Sequence, residues 1–386
     1  MVQPVRLLQE ACWLTAIVAV PLAVDPWHSD LGVFGTNPFI ALRGAILVAC
    51  GVALLLLSIA REAEGQQEPL RAFLARPLVG AALLLLAIQA ISTAASMYPW
   101  VSLWGSSYRG RGLVTFAACT MIFLAIARYA DREQRERVVI AVLLTAVSVS
   151  LWALYASVWI DGRTSGTLGN ALFLAAYLLV PIFIAATYLD KRVGIMWPVY
   201  LVLLAAFFVS TSRVASLGMI LGFGYLLWQG TRKRVAFLGI AVGVLVIVAR
   251  MGPGFTDNGV VRAQIWEASG VTMLDSPLSR QLIGYGPDTF GMQAGIAGAL
   301  GQEHVVESAH NIFLHAFVTT GAAGLLACLW LWGVAGWSAF HSAAAWTFPV
   351  IAASFVEGLS GIIYAPVLLM FWITLGCINE GEKVAQ

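Results

Sequence analysis

The residues of this chain best suited to chemistry fall between positions 251 and 311, the one long stretch without a membrane-length apolar run. It carries Arg262, Arg280 and His310, together with a Gly-Tyr-Gly-Pro turn at 284–287 that contains Tyr285. A guanidinium is planar and always charged, and its donors fork onto phosphate oxygens in pairs. An imidazole exchanges its proton near neutral pH and can act as a general base. Arginines with a histidine therefore suit a reaction on an anionic, phosphate-bearing substrate from which a proton must be removed. Within the stretch, Arg262 and Trp266 are four residues apart, which puts them on one face of an amphipathic helix. Asp275-Ser-Pro-Leu278 reads as its stop, and the glycines at 284 and 286 read as a turn of the kind that can cradle phosphate.

Further candidates lie in shorter polar connections. Residues 100–112 place Arg109 and Arg111 beside Trp100, Trp104 and Tyr108, a combination that suits a sugar–phosphate surface and equally an aromatic belt with anchoring arginines. Residues 161–170 hold Arg163, with Gly166 and Gly169 for a tight re-entry and Asn170 as a helix cap. Ser210-Thr-Ser-Arg213 sits between two apolar runs with almost no loop, and a charge so placed marks a functional site by default. Asp25, His28 and Asp30 surround a proline and lack the spacing of a metal-binding carboxylate pair, so a solvated loop is expected and no metal site.

These motifs are held by a chain that is 60% hydrophobic and 11% charged, with mean hydropathy +0.85, values that exclude an ordinary soluble domain. Apolar stretches at 7–24, 39–60, 77–96, 112–130, 137–160, 168–189, 194–209, 213–229, 233–250, 311–333, 343–357 and 361–378 predict about 12 transmembrane helices. The expected fold is an all-α integral membrane protein, a single polytopic domain over 1–386, with a helical extracytoplasmic loop at 251–310 between spans 9 and 10. The five cysteines all fall inside spans and read as apolar filler.

Basic residues orient the chain. Arg61, Arg71 and Arg76, then Arg128, Arg132, Arg135 and Arg137, then Lys191 and Arg192, then Arg232, Lys233 and Arg234 all fall on even-numbered connections. The positive-inside rule places these connections and both termini in the cytoplasm. The opposite face has arginines and no lysine: Arg109, Arg111, Arg163, Arg213, Arg250, Arg262 and Arg280, with Arg43 near the end of its span. Several guanidiniums on the outer face favour an anionic ligand there.

The ordered motifs resemble the O-antigen ligase family, which includes O-antigen polymerases and protein O-oligosaccharyltransferases. They are Tyr108-Arg-Gly-Arg-Gly112, Gly166-Thr-Leu-Gly-Asn170 with Phe173-Leu-Ala-Ala-Tyr177, Ser210-Thr-Ser-Arg213, Arg262 with Trp266, Gly284-Tyr-Gly-Pro-Asp-Thr-Phe290, and Ala309-His-Asn311 before Gly321 and Gly324. Val214, and Ala171 with Leu172, depart from the family's usual residues after the Arg and after Gly-Asn. The resemblance implies a GT-C-like, inverting, metal-independent glycosyltransferase without cofactor, acting at the periplasmic face of a bacterial inner membrane. Its donor would be a glycan on polyprenyl pyrophosphate, and its acceptor a lipid or glycan of the lipid A-core kind. Membrane lipids would be partners and nucleic acid would not. The matching positions are Arg213 and Arg262 for the donor phosphates and His310 for the essential loop histidine, with Arg109, Arg111, Arg163, Arg280, Tyr285 and Trp266 as further substrate-binding candidates.

The residues support the same chemistry independently. Without an outer carboxylate pair to hold a cation, arginines are left to stabilise charge on a leaving phosphate. Ligase, polymerase and protein-glycosylating enzyme share that donor chemistry. A twelve-span secondary transporter or flippase is the rival class, and would call for charged or broken helices at mid-membrane.

Overall fold

The computed structural model describes residues 2–23, 38–63, 68–106, 110–159, 164–189, 193–230, 233–249, 255–293, 296, 306–361 and 364–378. Among them every regular element is a helix. In chain order these are α1 (Val2–Leu22), α2 (Pro38–Glu62), α3 (Leu70–Leu74), α4 (Pro77–Ala94), α5 (Pro99–Trp104), α6 (Leu113–Tyr129), α7 (Arg132–Trp159), α8 (Ala171–Tyr188), α9 (Val193–Ser210), α10 (Arg213–Trp228), α11 (Lys233–Ala249), α12 (Phe255–Leu274), α13 (Leu278–Ile283), α14 (Ile312–Phe340), α15 (Thr347–Gly358) and α16 (Ala365–Gly376), with single 3₁₀ turns at Gly166–Leu168 and Phe290–Met292.

Each expected apolar stretch contains a helix, but the lengths differ from expectation. Among the described residues six helices are long and apolar enough to cross a bilayer: α1, α2, α4, α7, α8 and α14. Others are shorter, and α15 and α16 have 12 residues each. A helix of that length rises about 18 Å, well short of the roughly 30 Å hydrocarbon layer. The amphipathic helix expected around Arg262 is α12, and it ends at Leu274 before Asp275-Ser-Pro277.

Local chemistry sets the boundaries. Asn170 caps α8 by accepting from the Leu172 N–H at 2.8 Å, and Asn311 caps α14 by accepting from Phe313 and Leu314 N–H at 3.0 Å. Apolar around its whole circumference, α8 is buried almost end to end, as such a helix must be. α10 packs closely on α15, because Gly218 brings the helix to within 2.5 Å, measured from an added Cβ, of the Ala353 carbonyl oxygen.

Charge sorts to the two ends of the bundle. At one end Glu62 takes two hydrogen bonds from Arg128, at 2.5 and 2.7 Å, and one from Tyr129 Oη at 2.6 Å. Nearby, Glu10 pairs with Arg137 and accepts from Gln134, and Arg6 pairs with Asp131. This end joins α1, α2, α6 and α7 through the basic residues that the sequence assigns to the cytoplasm. At the other end, Arg43 is buried to 1% exposure, not an anchor at a helix tip. Its Nε donates to the Ala23 carbonyl at 3.1 Å, Nη1 to Tyr364 Oη at 2.6 Å, and Nη2 to the Thr167 carbonyl. Tyr364 in turn stacks on Phe173 of α8, with centroids 4.6 Å apart.

The decisive irregularity is in α14. Gly321 has φ 69° and ψ −170°, which interrupts the helix nine residues after it begins at Ile312. A break at membrane depth strands carbonyls that lipid cannot satisfy. Here they are met from outside: Tyr285 N–H donates to Val318 O at 3.1 Å, Gly286 N–H to Thr319 O at 2.8 Å, and Ser92 Oγ to Thr319 O at 2.9 Å. A Cβ on Gly321 would lie 2.3 Å from the Leu282 carbonyl group, in addition to its positive φ. Gly321→Ala should therefore destabilise the protein by about 2 kcal/mol or more. The check is thermal unfolding in detergent, where an unchanged midpoint would contradict this account of the break.

Candidate functional site

The site is assembled around α12 and the two strands of chain that flank α14. Arg213 is the first residue of α10, following the two-residue turn Thr211-Ser212, and Ser212 caps that helix. Arg262 projects from α12 and donates from Nη1 to Ser360 Oγ at 2.5 Å, in the turn after α15. Burial lowers the pKa of Arg262, the positive charge of Arg213 lowers it further, and the carboxylate of Glu357 opposes both. Two guanidiniums and one carboxylate, from three separate helices, therefore share one electrostatic environment.

The segment that carries His310 is tied to the same elements. One turn along α12 from Arg262, Trp266 donates from its indole N–H to the Ala309 carbonyl at 2.8 Å. The side-chain amide of Asn311 donates to the Leu359 carbonyl at 3.1 Å, next to Ser360. Thus α12 and the turn at 358–360 hold the His310 segment from two sides. Among the described residues three that are not glycine have positive φ: Thr211 (54°), Asp288 (57°) and His310 (50°). All three belong to the polar motifs singled out from the sequence. Left-handed backbone at such residues costs energy and persists only where its surroundings impose it.

Asp288 organises the neighbouring loop. One carboxylate oxygen accepts from the backbone N–H of Ser106 at 2.7 Å and of Arg111 at 3.1 Å, and the other faces the Arg111 guanidinium at 3.2 Å. The side chains are 8% (Arg111) and 1% (Asp288) exposed, so this is a buried ion pair. Arg111 Nη2 also donates to the Glu307 carbonyl at 3.3 Å, which ties the loop to the His310 segment. Beyond it a cavity of about 150 Å³ runs among α4, α6, α8, α14, α15 and α16. Arg111, Asp288, His315 and Glu357 are polar parts of its wall, and Phe116 and Trp332 are among the apolar ones.

The structure brings Arg213, Arg262, Trp266, His310 and Arg111 into one connected region. Arg280 and Tyr285 stand apart from it. Arg280 Nη1 donates to the Ala95 carbonyl at 2.8 Å and the Gly284 carbonyl at 3.2 Å, bracing α13 against the end of α4. Tyr285 Oη pairs with Ser276 Oγ at 2.6 Å, and its ring lies beneath Arg280. The N–H groups of 285 and 286, expected at a phosphate, are bound to α14 carbonyls. Arg109, Arg163, Asp25, His28 and Asp30 lie outside the described residues. Among the described residues no three His, Cys, Asp or Glu side chains gather as metal ligands. Asp288, His315 and Glu357 were not anticipated as site residues; for Glu357 the available signal was a lone carboxylate inside an apolar stretch.

Fold and site define a multi-pass helical membrane protein with a guanidinium-lined site at one end of the bundle. Residues 198–329 match the family described as O-antigen ligase, a likeness that points to a glycosyltransferase-type membrane enzyme in general. Among curated proteins none matches the chain.

If the Arg111–Asp288 pair organises the loop, removing one partner strands a buried charge at a cost of about 3–5 kcal/mol. Asp288→Ala should therefore unfold at markedly lower temperature than the wild type, and Arg111→Met with Asp288→Leu together should recover part of the loss. A single variant that melts like the wild type would show the pair to be dispensable.

Proposed function

We propose that this protein transfers a glycan from a polyprenyl-pyrophosphate donor to an acceptor hydroxyl, at the outer face of a bacterial inner membrane, with inversion and without a metal. The observation that carries the reading is the Arg213–Arg262 pair. Arg262 is partly buried and feels the charge of Arg213, and a pyrophosphate is an anion that both guanidinium forks can bind. The match to the O-antigen ligase family supports the same assignment.

In this reaction the acceptor oxygen attacks the anomeric carbon as the bond from that carbon to the phosphate oxygen breaks. Electrons flow onto the leaving pyrophosphate, where the forks of Arg213 and Arg262 stabilise the growing charge. His310 takes the acceptor proton, an effect worth roughly 10²–10⁴-fold, and later releases it to water. Product and leaving group are the glycosylated acceptor and free polyprenyl pyrophosphate. Arg109 and Arg163 are proposed to extend the cationic surface toward the glycan. A lipid A-core-like acceptor makes the enzyme a ligase; a glycan or protein acceptor makes it a polymerase or an oligosaccharyltransferase with the same donor site. The charge pattern of the connections supports twelve crossings with both termini cytoplasmic, a topology in which this site faces outward.

Three measurements test the proposal. Arg213→Lys and Arg262→Lys should each lose most transfer and donor affinity, since Lys keeps the charge and loses the fork, whereas His310→Ala should lose transfer and keep donor binding. Near-normal turnover in both Lys variants would reduce those arginines to general positive charge. Activity should survive EDTA; loss on chelation with recovery on adding Mn²⁺ or Mg²⁺ would sink metal independence. Ser279 is exposed on α13, so Ser279→Cys in a chain lacking its own cysteines should react with an impermeant thiol reagent in intact spheroplasts. Reaction only after lysis would reverse the orientation.

A further inference from the structure

We propose that Trp266 is a positioning residue for His310, acting through the peptide that joins Ala309 to His310. This rests on the general-base role proposed for His310. The indole N–H donates to the Ala309 carbonyl at 2.8 Å. That carbonyl belongs to the peptide whose rotation sets φ of His310, and His310 sits at φ 50°, a conformation that few residues other than glycine adopt unforced. Neighbouring peptides of the same segment are also held. Arg111 Nη2 donates to Glu307 O, and the Asn311 amide donates to Leu359 O while its oxygen caps α14. Without the Trp266 bond, the Ala309–His310 peptide loses the contact that fixes its plane and relaxes toward ordinary φ values, which swings the imidazole away.

The same helix face carries Arg262 one turn earlier, bound to Ser360. The spacing Arg262–Trp266 therefore locks the phosphate-binding guanidinium and the base to one rigid element, so that their separation is set by a helical repeat. Trp266 is 39% exposed, which lets its ring be replaced without opening the core. A ligand-stacking role would use the ring face, whereas the positioning role uses the N–H, and Trp266→Phe separates the two because it keeps a ring and removes the donor.

The experiment uses the full-length protein in nanodiscs. Binding is measured with geranylgeranyl pyrophosphate, and turnover with polyprenyl-pyrophosphate-linked glycan from cell lipid extracts, read as release of polyprenyl pyrophosphate. Trp266→Phe should lower turnover roughly tenfold to a hundredfold, leave geranylgeranyl pyrophosphate affinity unchanged, and speed hydrogen exchange across 308–311. Combined with His310→Ala it should be no slower than His310→Ala alone, because a positioning residue has nothing left to position. Weakened pyrophosphate binding with unchanged exchange would make Trp266 a ligand contact, and multiplicative losses in the double variant, or wild-type turnover in Trp266→Phe, would overturn the proposal. Wild-type turnover in His310→Ala alone would instead sink the base role, and hydrogen exchange at 308–311 would then still decide whether Trp266 holds that segment.

Discussion

The break in α14 is the constraint on which the site depends. A helix interrupted in an apolar bundle must find donors for its stranded carbonyls, and the two nearest backbone donors come from residues 285 and 286. Their docking fixes the end of α13, which Arg280 braces to α4 through the Ala95 carbonyl, and Ser96 completes the seam by donating to the Tyr285 carbonyl. The chain then passes directly to Asp288, whose carboxylate gathers the 106–111 loop. The short first segment of α14 is thereby tied to the polar layer rather than to the long second segment. Its cap is Asn311, the residue after His310. One non-helical glycine thus decides where the candidate base stands.

The two ends of the bundle handle charge differently. At the end of α1, α2, α6 and α7 each named arginine meets a carboxylate: Arg128 with Glu62, Arg137 with Glu10, Arg6 with Asp131. Such pairs hold helices in register and leave little field for a ligand. At the opposite end Arg111 is likewise paired with Asp288, but Arg262 feels a second guanidinium, Arg213, with Glu357 opposing it. Arg43 shows that cations at this end serve the fold as well, since its donors join α1, the 166–168 turn and Tyr364. It is the shared environment of Arg213 and Arg262 that a site for a multiply charged lipid phosphate calls for.

Much of this was legible from residue types alone. Hydropathy found every apolar helix, and the 262–266 spacing found the amphipathic face of α12. Asn170 as a cap followed from side-chain chemistry. What the sequence did not yield was which polar groups face one another. The glycines at 284 and 286 fit a phosphate cradle and a helix-break dock equally well, because both need exposed N–H groups and no Cβ; only the break at Gly321 shows where those N–H groups point. Arg280 and Arg262 look alike in sequence, yet one binds carbonyls of its own fold and the other shares an environment with a second arginine. Asp288 read as a turn residue, and its partner Arg111 lies 177 positions away. Hydropathy drew the stretches of α15 and α16 as 343–357 and 361–378, whereas the helices run Thr347–Gly358 and Ala365–Gly376 and are 12 residues long each.

The place where α15 ends has a physical consequence for the site. Because α15 stops at Gly358, the turn that follows lies beneath α12 rather than beyond it, and Leu359 and Ser360 become acceptors for Asn311 and Arg262. Had the helix continued to membrane length, its backbone groups would be bonded internally and Arg262 would face an apolar surface, where a guanidinium is costly. Early termination gives the arginine a hydroxyl partner and leaves Glu357 at the cavity wall. Separately, α10 approaches α15 closely through Gly218 against Ala353. The turn after α15 therefore ties α12 and the His310 segment together, since it accepts from Arg262 and from the residue after His310.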